Sequence, residues 1–314
     1  MSKPGLVLQL VATSILLVAC SEPPESPGPD VRKEPVVVFA AFEDDEELRQ
    51  LMARYTDESG VRVIIRRGAA AGIVNDLIEN KISPAADLLM TRSVVDAWRA
   101  AEEGALRAIQ SDSMSERVPE WARDPDNLWA GTDFHTAVIA YNDADLAVDK
   151  ITGYASLADP QFEGRLCISS SRNLINQLVI AMLIDELGVR DAQTVARGWM
   201  KNLAGPILRS DREVLVAIAT RLCEVGLVSS TADTSGLADL AIHVPARAFA
   251  DVDGMGIARH AHNPDGALAL LEWLLAQSAE SNFRNAANVS EKNASLFAWH
   301  QRDAVLLAER VRYP

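Results

Sequence analysis

The sequence predicts an α/β fold in which apolar strands alternate with amphipathic helices and the sheets are mostly parallel. Two observations carry that prediction. Apolar, β-branched runs and helical apolar faces follow one another from residue 35 to the last segment, and glycines close several of the helices. The 314 residues are 48% hydrophobic and 24% charged, which supplies a large core and excludes intrinsic disorder for most of the chain. No internal repeat is visible.

The elements follow in order. The run VVVFA at 36–40 reads as a buried strand. A helix is predicted over 43–55, with Leu48, Leu51, Met52 and Tyr55 on one face. Gly60 stops it, and VRVII at 61–65 is the next strand. A short helix at 74–81, a strand at 87–90 and a helix at 93–103 closed by Gly104 come next. The segment 136–141 is a strand, and 166–169 leads into a helix over 174–187 that ends at Gly188. Helices at 192–203 and 213–223 precede a strand at 225–229. Asn263 is the expected N-cap and Pro264 the first residue of a strongly apolar helix over 264–277, and a last helix covers 297–312.

The N-terminus reads as an address. Lys3 precedes an apolar run over 6–18, the layout of a secretory signal, and the run is too short for a comfortable membrane span. Its end, Leu17-Val18-Ala19-Cys20, resembles the lipobox of bacterial lipoproteins, so Cys20 is the expected lipidation site and 1–19 the expected signal peptide. Two or more acyl chains make a stable anchor, each buried CH2 contributing about 0.8 kcal/mol. An ordinary signal peptide or an uncleaved anchor is the alternative. Residues 21–35, SEPPESPGPDVRKEP, have five prolines and no apolar period, and the stretch 20–35 is expected to be a disordered tether. It reaches roughly 45 Å at ~3.1 Å per residue. Ser21 after the lipidated cysteine favours the outer membrane, with the folded part on the periplasmic side.

Removal of 1–19 takes away one positive charge, Lys3, so the formal net charge goes from −14 to −15. Such a field repels phosphate, which argues against nucleic acid and against an anionic membrane surface as partners. The membrane is expected to be touched only through the lipid. Three cysteines are present. With Cys20 lipidated, Cys167 and Cys223 remain in an oxidising compartment and in apolar, strand-like surroundings, so a disulfide between them is expected. Two buried free thiols are the alternative.

Several segments, read in order, resemble the ferric-iron-binding solute-binding proteins of bacterial ABC importers, a branch of the type II periplasmic binding proteins. They are TDESGVRV at 56–63, SPAADLL at 83–89, WRAAEEG at 98–104, AYN at 140–142, LADPQFEGR at 157–165, SSSRNLINQ at 169–177, CEVGLV at 223–228 and NPDGA at 263–267. The resemblance spans about 35–285. It implies a two-lobed type II periplasmic-binding-protein fold with an interlobe cleft. Lobe 1 is expected over 36–134 plus 240–285, and lobe 2 over 135–239 plus 286–314. It also implies a monomer that captures a small solute or metal chelate by hinge closure and presents it to an ABC permease. The ferric members hold Fe(III) mainly with tyrosine phenolates, because a hard trivalent cation favours anionic oxygen. Here the loop after the first strand reads Phe42-Glu43-Asp44-Asp45, the tyrosine of the serine-rich run is Ile175, and the late tyrosine pair is Thr231-Ala232. No cofactor is therefore assigned. Fe(III) is implied by the resemblance alone, and no metal ligand is named.

Each candidate site residue has a bland reading beside a functional one. Asp44 and Asp45 put carboxylates at the cleft mouth for a hard metal or a polyamine, or they complement the dipole of the helix that starts there. Ser170, Ser171 and Asn173 stand at a strand-to-helix junction suited to an anion, or they cap the helix. Thr231, with Ser229 and Ser230, ends a cleft-facing strand, or it makes a polar turn. His260 and His262 look like a metal pair without partners at ligand spacing, and Arg66 and Arg67, which close the second strand, neutralise an anionic ligand or are solvated cations. Asp133 and His135 share a strand face with no nucleophile beside them. No nucleophile elbow, HExxH, P-loop or dinucleotide fingerprint occurs, so no enzyme is expected. A receptor of an ABC importer is the expected function. The alternative is a degenerate solute-binding fold acting as an envelope interaction or sensory lipoprotein.

Overall fold

A computed structural model describes residues 33–42, 46–80, 82–144, 146–283 and 286–314. The expectations for the signal, Cys20, Ser21 and most of the tether, and those for Asp44 and Asp45, fall outside these residues. Residues 33–314 hold together as one unit.

Its centre is a strand that is apolar at every position. β1 (Val36–Ala41) is buried on both faces, as a central strand of a helix-covered parallel sheet must be, and lies between β2 (Val63–Arg67) and β3 (Leu88–Thr91), parallel to both. Between them run α1 (Glu46–Ser59), burying Leu48, Met52 and Tyr55, and α2 (Ala70–Glu79), burying Ile73, Val74 and Leu77. α3 (Val94–Glu102) starts where the Ser93 hydroxyl accepts from the Val95 N–H at 3.2 Å. β4 (Leu106–Arg107) and α4 (Asp112–Arg117) follow.

β5 (Ala130–Tyr141) is twice as long as the strand its apolar run predicts, and it changes partner midway. Residues 130–136 pair antiparallel with β9 (Ala250–Ala258), and residues 137–141 pair antiparallel with β7 (Val225–Ser229). β6 (Leu166–Cys167) lies parallel to β7, and β8 (Ala241–His243) runs antiparallel to the last residues of β5. The strand order is β2-β1-β3-β9-β5-β7-β6, with β4 on β9 and β8 on β5. The expectation of mostly parallel sheets is corrected here. Among the strands of the described residues only β1–β2, β1–β3 and β6–β7 are parallel, because β5 and β9 run against their neighbours, and β5 passes from one group of strands to the other.

α5 (Leu174–Leu187) is apolar all round and buries ten consecutive residues, as a helix enclosed by others must. α6 (Val189–Asn202) packs beside it, and Trp199 donates from Nε1 to the Tyr154 carbonyl at 3.1 Å. α7 (Asp211–Ala219) is capped by Ser210. α8 (Pro264–Phe283) begins as expected, with Asn263 Oδ1 accepting from the Gly266 N–H at 2.9 Å. α9 (Ser295–Val311) completes the chain's helices.

Cys167 and Cys223 are disulfide-bonded, with Cα atoms 5.9 Å apart. The bond lies in an apolar cluster with Val214, Leu215, Ile218 and Val228, and it ties β6 to the turn before β7. The same place leaves no room at Gly226. A Cβ there would lie 2.5 Å from Val214 Cγ1 and 2.6 Å from the Cys167 carbonyl oxygen. Gly226→Ala is expected to destabilise by about 2 kcal/mol through forced overpacking, measured by urea unfolding.

Candidate functional site

A cavity of about 210 Å3 opens at the carboxyl ends of β1 and β3, the position where open α/β sheets commonly bind ligands. Phe42, which follows β1, and Met90, Thr91 and Arg92, which close β3, form one wall. Leu48 and Leu51 of α1 and Leu274 of α8 supply an apolar side. Glu47 of α1 adds a carboxylate, and β5 and β9 provide the remainder: Thr132 and Asp133 from one, Asp253, Gly254 and Met255 from the other. Gly254 is required, since a Cβ would approach Ala97 Cβ to 2.8 Å.

The crossing strands place a charge network against this cavity. In the β5–β9 register Asp133 faces Asp253 and His135 faces Asp251. Arg92 donates from a guanidinium nitrogen to Asp253 Oδ2 at 2.7 Å, and its carbon lies 4.7 Å from the centre of the Phe42 ring. His135 Nε2 stands 3.2 Å from Asp253 Oδ1 and 3.4 Å from the Arg92 carbonyl. The contact with Oδ1 is an ion pair without hydrogen-bond geometry, and Oδ1 is buried with no hydrogen-bond donor among the described residues. Asp251 is buried and accepts from the Val94 N–H at 2.8 Å and the Ser93 hydroxyl at 3.0 Å.

These contacts move the titrations. Burial alone would lower the His135 pKa, but Asp253 and Asp251 overcome it and push it up to about 9. Burial raises the Asp251 carboxyl to about 7, against the opposing pull of His135 and its two donors. Burial would also raise Asp253, yet His135 and Arg92 hold it below the usual carboxylate range. Asp133 is raised, mainly by desolvation, with the Phe134 N–H acting the other way. The pair Asp133 and His135 was legible as two residues on one strand face. What sequence reasoning missed was β9, because two aspartates and two glycines break its apolar run.

The other expected residues form a second, tighter network. Ser170 Oγ donates to the Pro314 backbone oxygen at 2.9 Å, and the Ser171 N–H reaches the same oxygen at 2.8 Å. Asn173 caps α5 through the Ile175 N–H and donates from Nδ2 to Asp211 Oδ1 at 2.6 Å. Asp211 also accepts from the Ser229 N–H at 2.8 Å, and the Ser229 and Thr231 hydroxyls are 2.8 Å apart. Asp211 thus joins the α5 junction to the end of β7, linking Asn173 to the turn that holds Thr231. No sequence motif pointed to it. Ser230 accepts the Thr136 N–H at 3.1 Å, which sets this turn beside His135 along β5. Arg66 pairs with Asp76 at 3.1 Å and lies over the Phe39 ring.

All four tyrosines lie among the described residues and are buried. Tyr154 donates to the Ala137 carbonyl and Tyr313 to the Ser169 carbonyl, each at 2.7 Å, and burial raises the pKa of both phenols. Burial likewise raises Tyr55, whose ring meets Trp273 edge-on. Neutral phenols that donate to backbone carbonyls are not placed to act as phenolate ligands. Among the described residues no group of three or more His, Cys, Asp or Glu can hold a metal ion.

Residues 76–212 match the family model described as bacterial extracellular solute-binding protein. The iron uptake protein A1 of Synechocystis sp. is 27% identical over 296 residues, covering 88% of this chain and 81% of that protein. The Fe(3+)-binding periplasmic protein of Serratia marcescens is 19% identical over 263 residues, covering 79% and 76%. A solved Trichodesmium protein, IdiA or FutA in complex with iron and citrate ligands, superposes with a TM-score of 0.80 at 24% identity, covering 89% of this chain and all of that one. These findings support the resemblance to iron-binding periplasmic solute-binding proteins, and the fold is the two-lobed α/β fold of ferric-binding type. The matched family is one of binding proteins and not of enzymes.

Proposed function

From this kinship with bacterial extracellular solute-binding proteins, we propose that the chain is the receptor of an ABC importer. It captures a small solute between two lobes and hands it to a permease. The observation that carries the reading is the cavity at the carboxyl ends of β1 and β3, walled in part by β9 and by β5, the strand that passes between the groups of strands. In this reading lobe 1 is 36–134 plus 240–285, lobe 2 is 135–239 plus 286–314, and the hinge includes the point where β5 changes partner. Cys20 carries the lipid, Ser21 directs the protein to the outer membrane, and the tether holds a monomeric receptor clear of the surface on the periplasmic side.

The cargo is a small solute or a metal chelate that brings its own oxygen ligands. The engaged tyrosines support this over a naked ferric ion, which needs anionic oxygens from the protein. Asp44, Asp45, Ser170, Ser171, Asn173 and Thr231 remain proposed contacts at the cleft edges, beside Arg92, Asp133 and Thr132 in the cavity. Iron is proposed only in chelated form.

The six tryptophans give a direct test. The purified protein is titrated with Fe(III)-citrate, divalent metals, polyamines and small carboxylates while emission and small-angle scattering are followed. Saturable quenching with compaction is expected for one class, and ferric citrate is expected to give no phenolate-to-iron absorption band. A second reading, a degenerate receptor that acts through another envelope protein, follows if Ser21 sends the lipidated protein to the outer membrane as proposed. It predicts silence across the panel and a stable protein complex instead.

A further inference from the structure

We propose that His135 is a positioning residue of the cleft: its imidazolium sits where β5 passes from β9 to β7, pins Asp253 and through it Arg92 to the cavity wall, and loosens that wall when its charge is lost. The proposal rests on the geometry of the crossing and not on the solute reading, so the two fail separately.

Three elements meet at this imidazole. β5 contributes His135 itself and Asp133; β9 contributes Asp251 and Asp253; the segment between β3 and α3 contributes Arg92, through both its carbonyl and its guanidinium. These are the charged groups facing His135 among the described residues. The next residue of β5, Thr136, is the last to pair with β9, and its N–H already bonds to Ser230 at the end of β7. His135 therefore stands one residue from the hand-over between the two groups of strands. A rotation of one group against the other has to bend β5 close to here.

The charges around it do not balance without an imidazolium. Asp251 and Asp253 are both buried on β9, two residues apart and on one face of the strand. Asp251 has two neutral donors, and Asp253 has Arg92 on one oxygen only. The other oxygen, Oδ1, lies 3.2 Å from the imidazole and has no hydrogen-bond donor among the described residues. Neutral His135 leaves that oxygen buried without compensation, so the carboxylate is driven to seek water or to turn its Arg92 contact. Both changes displace groups that line the cavity. Opposite His135, the rings of Phe134, Trp121 and Phe283 pack within 6 Å of one another and hold β5 from its other side, so the movement is directed into the cleft. The raised titration of His135 to about 9 is the consistent electrostatic consequence.

The test uses the whole purified protein. NMR titration of the imidazoles should show His135 titrating more than one unit above an ordinary histidine in the wild type. Thermal unfolding between pH 8 and 9.5, above the range in which Asp251 ionises, should show a loss of stability with rising pH that is much smaller in His135→Gln. Hydrogen exchange, corrected for intrinsic rate, should rise with pH in the wild type at 91–95 and 250–254 before it rises in α5. An ordinary His135 titration, or the same alkaline loss in His135→Gln, overturns the proposal. Exchange that rises everywhere together also overturns it, since that is the mark of a purely structural role. The wild-type titration and exchange stand even if the variant does not fold.

Discussion

Replacing both Cys167 and Cys223 by alanine is expected to lower the unfolding free energy by about 4 kcal/mol. The bond closes a loop between residues 56 apart in sequence, and its loss frees that loop in the unfolded chain. In the folded state it joins β6 to the turn before β7, which together carry the Ser169–Asp211–Ser229 network. Loosening therefore spreads to Asn173 and Thr231 as well as lowering stability. Urea unfolding of oxidised protein against the double variant measures the effect, and a difference under about 1 kcal/mol would show that the apolar cluster of Val214, Leu215 and Ile218 suffices alone. Thiol counting on the unfolded native protein should find neither cysteine free.

Asp253→Asn is the second large expected change. The substitution keeps shape and volume but removes the carboxylate shared by Arg92 and His135. A broken buried pair costs about 3–5 kcal/mol. Arg92 is half exposed and recovers hydration, so a loss of about 2–3 kcal/mol is expected. The pH dependence carries the sign. His135 has a raised pKa in the folded state, so its contribution is fully present below its unfolded value near 6.5 and is lost as pH rises through about 9. Asp251 is also raised, so folding disfavours its ionisation and stability falls as pH rises from about 4 toward 7. Asp253 is depressed, and its contribution is present above the unfolded value near 3.8 and lost as pH falls below it. Unfolding measured across pH should thus show an alkaline decline in the wild type that Asp253→Asn largely removes. A variant with an unchanged decline would show that Asp253 does not hold the His135 charge.

The sequence made most helices and the edge-to-centre strands visible because their apolar patterns are regular. β1 is apolar throughout, α5 is apolar all round, and Asn263-Pro264 marks the start of α8 by the chemistry of its cap. β9 was invisible for the reason that makes it useful. Its aspartates are buried against donors from other elements, and Gly254 and Gly256 are there because neighbours leave no room for a side chain. Neither fact shows in a local pattern. The same holds for Asp211, whose partners lie 38 and 18 residues away. Ser170, Ser171 and Asn173 were legible as a strand-to-helix junction, yet only the fold shows their hydrogen bonds spent on Pro314 and Asp211. The sheet direction was misjudged because helix–strand alternation favours parallel pairing, and the antiparallel crossing depends on two strands whose apolar runs are short or broken.

The central claim is a hinged receptor whose cargo is gripped without tyrosine phenolates. Native mass spectrometry of the protein purified from its own cells tests it most directly. A stoichiometric adduct of one small organic solute or metal chelate, released on unfolding, is the predicted result. A protein that carries bare ferric iron, with the iron retained after chelating anions are dialysed away, would contradict it, as would one that never carries anything small.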